Sequence, residues 1–364
     1  MAKKKVKKYK LKEFATLLAV LFLIIAVIVY YFYFRKDESS VTSIGASGAF
    51  SGFGGEVESS DNVMKVHFID VGQGDCIFIR FPDGKTMLID SGDKGKGKII
   101  TDYLDKLGVT TIDVLLGTHA HSDHIGSMTE IFEKYDVKHC FRPFVFYSGA
   151  KKSQFDSVYN VTSKAKKKQD ASSEIYYKFL KAVKDEGCTW DYFNKDSDFE
   201  QTIIYEEQEY TYKFDFLTPT DNVPYIGYSD ANDYSPLCLL SYGEFSVMFT
   251  GDASSDVEKE YLKYYSDSYT ANVLKVGHHG SKTSSSKAFI GSLAPECAVI
   301  MCETGNKYKH PNEETMNTLF LEGISVYRTD MHGSIVLEVT PDGTYTFATE
   351  NEVTPSTDLY KPGT

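Results

Sequence analysis

The most concentrated set of reactive side chains lies at residues 118–124, which read Thr-His-Ala-His-Ser-Asp-His. His119, His121 and His124 are three of the nine histidines of the chain, and Asp123 stands among them. Imidazole nitrogens and carboxylate oxygens are the ligands that proteins offer to zinc and similar divalent metals. A polar loop rich in histidine by chance is the plain alternative, but this concentration strongly favours a metal site.

The element that must position this loop is a predicted strand. Residues 111–116 form an apolar run, which is typical of a buried strand in an α/β sheet. Open α/β sheets bind ligands at the carboxyl ends of their strands, where this strand delivers the histidines. Further reactive groups also lie at the ends of predicted strands. Asp90 is the last residue of the strand predicted at 86–90, Asp252 follows 245–250, and His278 with His279 follows 271–276.

These motifs resemble those of a known family. His-x-His-x-Asp-His is similar to the signature of the metallo-β-lactamase superfamily of hydrolases. The flanking stretches look like those of the extracytoplasmic hydrolase domain of ComEC-type competence (DNA-uptake) proteins and their stand-alone relatives. In chain order they are HFIDVGQGD at 67–75, LIDSGD at 88–93, FTGD at 249–252, VGHHGS at 276–281 and RTD at 328–330. The resemblance covers residues 62–350 and implies an α/β fold, the four-layer αββα sandwich.

The resemblance also implies roles for the site residues. The expected metal ligands are His119, His121, Asp123, His124, Asp252 and His279. Asp252 would bridge two divalent cations through its two carboxylate oxygens. Asp123 and His278 would serve catalysis, with His278 facing the substrate, although the order of the two adjacent histidines stays open. Asp90 is expected to orient a ligand imidazole. The plainer alternatives are a turn residue for Asp90 and a helix N-cap for Asp252.

One ligand of the wider superfamily is missing from the sequence. No histidine near residues 232–235 supplies the usual third imidazole of the first metal site. Water, Asn232 or Asp233 would fill that position, or the site would be weakly occupied. Asn232 and Ser235 match a feature of the competence-type group, and we expect them, with Ser281 and Asp330, on the substrate side of the site. Amides before a helix that begins near Ser286 would suit a phosphate oxygen.

The implied activity is metal-dependent hydrolysis of a phosphodiester by a metal-bound hydroxide, with DNA as the substrate. Two divalent metal ions are expected. Zinc is the default for imidazole ligands, and manganese remains open because carboxylates contribute heavily. Two alternatives stay beside this hypothesis. One is an envelope phosphoesterase that acts on a phosphocholine or teichoic-acid ester, and the other is a non-catalytic metal-binding surface module.

The first 36 residues predict a membrane segment. Lysines crowd residues 1–13, and an uncharged run from Phe14 to Phe34 follows. Its 21 residues can cross a bilayer as a helix at about 1.5 Å per residue. The positive flank should stay in the cytoplasm, which places the remainder outside a bacterial cell membrane. Secretion after cleavage of a signal peptide is the alternative, although the apolar run is long for one.

Composition divides the rest of the chain. Residues 35–61 are rich in serine and glycine and predict a flexible linker. The hydrolase domain is expected at 62–350 and a C-terminal tail at 351–364. Residues 1–36 carry a net charge of +8, whereas the remainder carries −20. A body this acidic counts against a general polyanion binder, but a local basic patch would still serve one.

Overall fold

The computed structural model describes residues 53, 56–59, 61–145, 173–220, 228 and 230–353. The basic tail, the membrane segment predicted at 14–34 and residues 354–364 lie outside this part of the chain. Among the residues that are described, no helix combines the length and the apolar character that a membrane span requires.

Two eight-stranded mixed sheets form the body of the described chain. The strands are β1 Glu56–Glu58, β2 Met64–Phe68, β3 Ile77–Arg80, β4 Thr86–Ile89, β5 Thr111–Leu116, β6 Asp136–Arg142, β7 Thr189–Tyr192, β8 Phe199–Tyr205, β9 Gln208–Phe216, β10 Cys238–Tyr242, β11 Phe245–Phe249, β12 Val273–Lys275, β13 Cys297–Ile300, β14 Ser325–Arg328, β15 Ile335–Val339 and β16 Tyr345–Thr349. One sheet has the order β1-β8-β9-β10-β11-β12-β13-β14, and the other has the order β16-β15-β2-β3-β4-β5-β6-β7.

Helices lie between the strands along the chain. They are α1 Gly97–Lys106, α2 Ser122–Ile125, α3 Met128–Lys134, α4 Glu174–Glu186, α5 Ser255–Tyr265, α6 Lys287–Leu293, α7 Glu313–Leu321 and α8 Thr329–His332. Two short 3₁₀ turns cover Asn232–Tyr234 and Gly277–Gly280. The arrangement is consistent with the sandwich that the sequence predicts.

Two hydrophobic cores explain why the central strands are apolar on both faces. In β10, Cys238, Leu240 and Tyr242 belong to the core that joins residues of both sheets. Leu239, on the opposite face, belongs to the core that strands share with helices. Successive side chains of a strand point to opposite faces, so a strand packed on both faces needs no polar alternation.

The helices bury one apolar face each, as their sequence period predicts. In α4 the buried residues are Tyr176, Phe179, Leu180 and Val183, a spacing of three and four that places them on one side. The hydroxyl oxygen of Ser173 accepts a hydrogen bond from the Tyr176 backbone N–H and caps the start of the helix.

The residues that follow the histidine motif form two short helices, α2 and α3, instead of one long helix. They separate at Gly126, whose N–H donates to the Gly92 carbonyl oxygen over 3.0 Å. A Cβ at Gly126 would lie only 2.3 Å from the backbone nitrogen of Lys94. The close passage of the loop after β4 therefore breaks the helix next to the histidine motif.

Short strands at the sheet edges were not predicted. They are β1, β7 and β16, and β1 pairs in parallel with β8 through Glu56, Val57 and Glu58. The sheet thus includes residues that we assigned to the linker before residue 62. Three- to five-residue strands carry too short a pattern to be recognised without their partners.

The core between the sheets yields a stability prediction. Phe214 is fully buried, with its ring centroid 5.3 Å from those of both Phe199 and Phe216. We expect Phe214→Ala to lower the free energy of unfolding by about 3–5 kcal/mol. The matched control is Phe320→Ala on α7, where the side chain is 50% exposed and the loss should be about 1 kcal/mol or less. Urea unfolding of both variants would show equal losses if this core assignment were wrong.

Candidate metal centre

The loop that follows β5 places His119 in a fully buried position. The Thr118 hydroxyl donates to the Asp90 carboxylate over 2.7 Å, so this hydroxyl accepts rather than donates at His119 Nδ1, 3.2 Å away. The proton of His119 therefore lies on Nδ1, and the lone pair of Nε2 is directed toward the site. The Ser235 hydroxyl lies 3.1 Å from the same Nδ1 atom.

Asp90 contacts a second imidazole. It directly follows β4 with a left-handed φ of 59° and is completely buried. The Nδ1–H of His124 donates to its carboxylate over 2.7 Å, which directs Nε2 of His124 into the site. Thr118 holds both oxygens of Asp90 through its backbone N–H and its hydroxyl. These contacts favour the orienting role over that of a plain turn residue.

Asp252 enters from the other sheet, just after β11. Its backbone N–H donates to the Ser235 hydroxyl over 3.1 Å, so Ser235 joins Asp252 to His119. Asp252 is not the N-cap of α5, because the Ser254 hydroxyl occupies that position and accepts from the Asp256 N–H. Ser235 was expected on the substrate side, but it is buried and holds two other site residues in place.

The two adjacent histidines follow β12 in a strained turn. His278 and His279 have φ values of 49° and 55°, a left-handed conformation that costs a non-glycine residue about 1–3 kcal/mol. The Nδ1–H of His279 donates to the Met301 carbonyl oxygen over 2.9 Å, so its Nε2 faces the site. His279 is buried, whereas the side chain of His278 is 24% exposed.

Four side chains converge on one point. Ligand atoms of Asp123, His124, Asp252 and His279 all lie within 4.8 Å of one another. His124 Nε2 is 3.2 Å from an Asp252 oxygen, and His279 Nε2 is 3.4 Å from an Asp123 oxygen. The two Nε2 atoms are nevertheless buried without hydrogen-bond partners. Nitrogen and oxygen ligands of a tetrahedral zinc ion lie about 3.4 Å apart, so this donor set fits a divalent cation.

A second, less complete group lies beside it. His119 Nε2 is 3.1 Å from His121 Nδ1 and 3.9 Å from an Asp252 oxygen. Within the described residues, these two histidines belong to neither group of three or more ligand atoms that lie close together. Asn232 lines the adjacent cavity, and its Oδ1 is buried without a hydrogen-bond partner. The donor set therefore allows two cations, with one position assembled and the other open.

Comparisons with known proteins show what the chain is similar to. The family model described as the Metallo-beta-lactamase superfamily matches residues 69–153. The chain is 28% identical over 289 residues to ComE operon protein 3 of Bacillus subtilis, a match that covers 74% of this chain and 32% of that protein. Competence protein ComA of Neisseria gonorrhoeae is 25% identical, with 76% of this chain and 32% of that protein covered. The chain carries a metallo-beta-lactamase domain and is homologous to ComEC-type competence proteins. It spans about a third of the length of these relatives.

One of the similar solved structures is CmlA, a diiron beta-hydroxylase from Streptomyces venezuelae. It is 13% identical with a TM-score of 0.43, and the match covers 76% of this chain and 54% of CmlA.

Carboxylates and imidazoles balance each other's charge at the converging side chains. Burial alone would lower the pKa of His279, but Asp252, Asp123 and Asp75 raise it to about 9. Burial likewise opposes protonation of His124, yet Asp252 and Asp90 raise its pKa well above the usual value. Burial opposes ionisation of Asp252, but the nearby histidines hold the pKa of its carboxyl well below its usual range. Without a cation, protons on His124 and His279 therefore neutralise part of the carboxylate charge.

A buried ion pair between Lys275 and Asp75 lies against His279, and sequence reasoning missed it. Lys275 ends β12, is fully buried, and its Nζ lies 2.7 Å from an Asp75 oxygen. Another oxygen of Asp75 lies 3.4 Å from His279 Nδ1. A lysine within the apolar run 273–276 was the available signal. Its partner could not be read from the sequence, because Asp75 is supplied by the other sheet.

A cavity of about 290 Å³ opens over the converging side chains. Its lining includes the predicted residues His121, Asp123, Asn232, Asp252, His278 and His279, together with Gln73, Ser122, Tyr308 and His310. Sequence reasoning missed Tyr308 and His310. The available signal was a histidine in the polar loop that follows β13.

Two predicted substrate-side residues do not line this cavity. Asp330 is almost buried and forms a two-point ion pair with Arg328, with contacts of 3.0 and 2.6 Å. The Ser281 hydroxyl lies 3.0 Å from that of Thr283, which in turn contacts His278. The prediction that backbone amides before α6 bind a phosphate is wrong. The N–H groups of Ser285 and Ser286 already donate hydrogen bonds to the Glu258 carboxylate.

The glycine-rich turn at 72–74 provides a test of the ligand loop. Gly74 has a φ of 143°, and a Cβ there would lie 2.4 Å from the Asp123 carbonyl oxygen. We expect Gly74→Ala to displace Asp123 and to weaken metal binding about 10- to 100-fold. This is the usual loss when a contact that holds a metal ligand in place is removed. Isothermal titration calorimetry measures the affinity. Gly291→Ala in α6 is the control, because open space surrounds that Cβ and helix stability should rise by up to about 1 kcal/mol. Equal affinity in both variants would contradict the assignment.

Metal binding should also release protons. Ligand imidazoles must be neutral, whereas His279 has a pKa of about 9 and the pKa of His124 is also raised. Affinity should therefore rise as the pH increases from 6 to 8. Calorimetry at pH 7 in buffers of different ionisation enthalpy should detect about one or more protons released per cation. An affinity that falls or stays constant over this pH range would show that the two imidazoles are not ligands.

Proposed function

We propose that the chain is a metal-dependent hydrolase that cleaves phosphodiesters, with DNA outside the membrane as its substrate. The observation that carries the proposal is the convergence of Asp123, His124, Asp252 and His279, whose ligand atoms lie within 4.8 Å of one another beside an open cavity. His124 Nε2, His279 Nε2 and one Asp252 oxygen are buried without hydrogen-bond partners. Competence proteins among the relatives support DNA as the substrate. The predicted segment 14–34 would anchor the chain in the membrane, with the hydrolase domain on the outer face.

The proposed metal ligands divide between two positions. Asp123, His124 and His279 would hold one cation, His119 and His121 would hold the other, and Asp252 would reach both. The Asn232 Oδ1 atom, which is buried without a hydrogen-bond partner, is our candidate for the missing third ligand beside His119 and His121. Zinc suits the imidazoles, and manganese suits the carboxylates and the amide oxygen. Cations at these positions would polarise a water molecule and offset the charge that develops on a phosphoryl group.

The side chains around the ligands have separate roles in this scheme. Hydrogen bonds at Nδ1 fix the orientation of the proposed ligand imidazoles. Their partners are Asp90, Thr118, Ser235 and the Met301 carbonyl. The Nε2 lone pairs are therefore directed toward the cation positions before a cation binds.

His278 is the proposed proton donor. Its Nδ1 lies 3.3 Å from the Thr283 hydroxyl. A hydrogen bond donated by that hydroxyl would place the imidazole proton on Nε2, which lies 3.6 Å from an Asp252 oxygen at the floor of the cavity. In this neutral form Nε2–H would donate a hydrogen bond to a phosphoryl oxygen, and proton transfer to the leaving oxygen would require the imidazolium form of His278. No serine or cysteine nucleophile enters this scheme.

The test uses the full-length chain in mild detergent, stripped of metal and reloaded with zinc or manganese. The substrates are single-stranded DNA, double-stranded DNA and bis-p-nitrophenyl phosphate. Asp123→Ala should reduce turnover by more than about 100-fold. Removing a residue that only hydrogen-bonds to a metal ligand costs about 10- to 100-fold, and Asp123 is itself a proposed ligand. Asp102→Ala is the matched control, since that aspartate is exposed and pairs with Lys98 on α1.

The outcomes separate the alternatives. DNA cleavage that depends on metal and on Asp123 supports the nuclease proposal. Turnover of the small diester alone retains the hydrolase and moves its substrate to the cell envelope, which the net charge of −20 beyond residue 36 would suit. Bound metal without turnover on any diester refutes the enzyme and favours a metal-binding module.

A further inference from the structure

The loop at 303–312 carries an unusual run of side chains to the edge of the metal cavity. Lys307, Tyr308 and Lys309 are all exposed, and His310 follows them. Tyr308 and His310 line the same cavity as Asp123 and Asp252. None of these four loop residues is needed to hold a cation in the proposed scheme.

Asn306 holds this loop in shape. Its side-chain amide donates to the carbonyl oxygens of Glu303 and His310, over 2.8 and 2.5 Å. Its Oδ1 accepts from the N–H groups of Tyr308 and His310, over 3.1 and 3.0 Å. One side chain thus closes the turn from both sides, and Lys309 keeps a left-handed φ of 60° inside it. The position of Tyr308 is therefore fixed before any substrate arrives.

A second asparagine ties the loop to the metal ligands. The Asn312 N–H donates to the Gly280 carbonyl oxygen over 2.8 Å, and its Oδ1 accepts from the Lys282 N–H over 2.9 Å. Gly280 directly follows the ligand His279, and a Cβ at Gly280 would lie 2.5 Å from Pro311. The two segments pack too closely to move independently, so the loop keeps its distance from the metal centre.

Aromatic rings lead outward from the centre along this loop. The His310 ring lies 6.3 Å from that of His279 and 5.3 Å from that of His278. The Tyr308 ring lies 5.6 Å from that of His310 at an interplanar angle of 24°, a stacked arrangement. Tyr308 remains 51% exposed, and Lys307 Nζ lies 4.8 Å from its ring centroid. An exposed aromatic ring thus stands at the edge of the cavity, next to the Lys307 ammonium group.

We infer that Tyr308 is a stacking platform for an unpaired nucleobase adjacent to the scissile phosphate. The inference rests on the proposed function and specifies its substrate as single-stranded nucleic acid. Proteins that bind single strands combine aromatic faces for the bases with cations for the backbone, and both occur in the run 307–309. Stacking needs an unpaired base, because a base inside a duplex has both faces covered by its neighbours. Lys307 and Lys309 also supply the local positive charge that the acidic body lacks.

The test compares Tyr308→Ala and Tyr308→Phe with the unchanged full-length chain. One substrate is a single-stranded oligodeoxynucleotide, and the other has the same length and charge but abasic sugars in place of nucleosides. We expect Tyr308→Ala to lower kcat/KM on the normal oligonucleotide roughly 5- to 100-fold, mainly through KM. Its effect on the abasic strand should be less than about 2-fold, and Tyr308→Phe should retain most activity on both strands.

Tyr264→Ala is the matched control. That tyrosine is 53% exposed on α5, and a neighbouring lysine lies 4.6 Å from its ring centroid, as at Tyr308. It does not line the metal cavity. Its substitution should leave both substrates unaffected, and metal content and thermal unfolding should match the unchanged chain in every variant.

Each other outcome overturns the inference. A Tyr308→Ala variant that cleaves the normal strand at the original rate removes the platform and leaves the proposed nuclease intact. Equal losses on both strands would show that the residue supports the loop or the phosphate and not the base. If the unchanged chain cleaves neither strand, the proposed nuclease fails together with the platform.

Discussion

The structure depends on the burial of carboxylates at one edge of the fold. Asp75, Asp90 and Asp252 are each at most 1% exposed, and Asp123 stands beside them. A carboxylate removed from water is stable only when a positive charge or several hydrogen-bond donors compensate it. Lys275 compensates Asp75, and Thr118 with His124 compensates Asp90. Asp123 and Asp252 face each other across histidine nitrogens that have no hydrogen-bond partner, so this pair is arranged for a cation.

The sandwich is what allows these groups to meet. Asp90 and the histidine loop follow parallel strands β4 and β5 of one sheet. Asp252 and His279 follow parallel strands β11 and β12 of the other. Neither sheet alone supplies all the proposed ligands, and Ser235 and the Lys275–Asp75 pair join the two contributions. The strained backbone of Asp90, His278 and His279 is therefore held by contacts from both sheets, which preorganises the ligand atoms.

Much of this arrangement was accessible from the sequence, because it is encoded locally. The histidine motif, Asp90, Asp252 and the pair at 278–279 each follow an apolar run, and the strand that precedes each one was recognised. Contacts that depend on distant segments were not accessible. The hydrogen bond of Ser235 to His119 and the occupation of the Ser285 and Ser286 amides by Glu258 join residues far apart in the chain. Edge strands such as β1 form by pairing with a neighbouring strand, here β8. An exposed segment of three residues has too short a hydrophobic pattern to be recognised in the sequence.

The same distinction bears on our proposal that an acidic chain acts on an anionic substrate. Net charge is a property of the whole sequence, whereas a substrate meets only the surface at the cavity mouth. Charges separated by more than about 8 Å through water are largely screened at physiological salt. The field at the mouth is therefore set by the residues that the loops bring there. In the loop after β13, those residues include two exposed lysines around an aromatic ring, held by Asn306 and Asn312 against the ligand loop. Acidic residues on helices such as α1 and α5 pair with neighbouring lysines instead, through contacts such as Lys98–Asp102 and Lys259–Asp256.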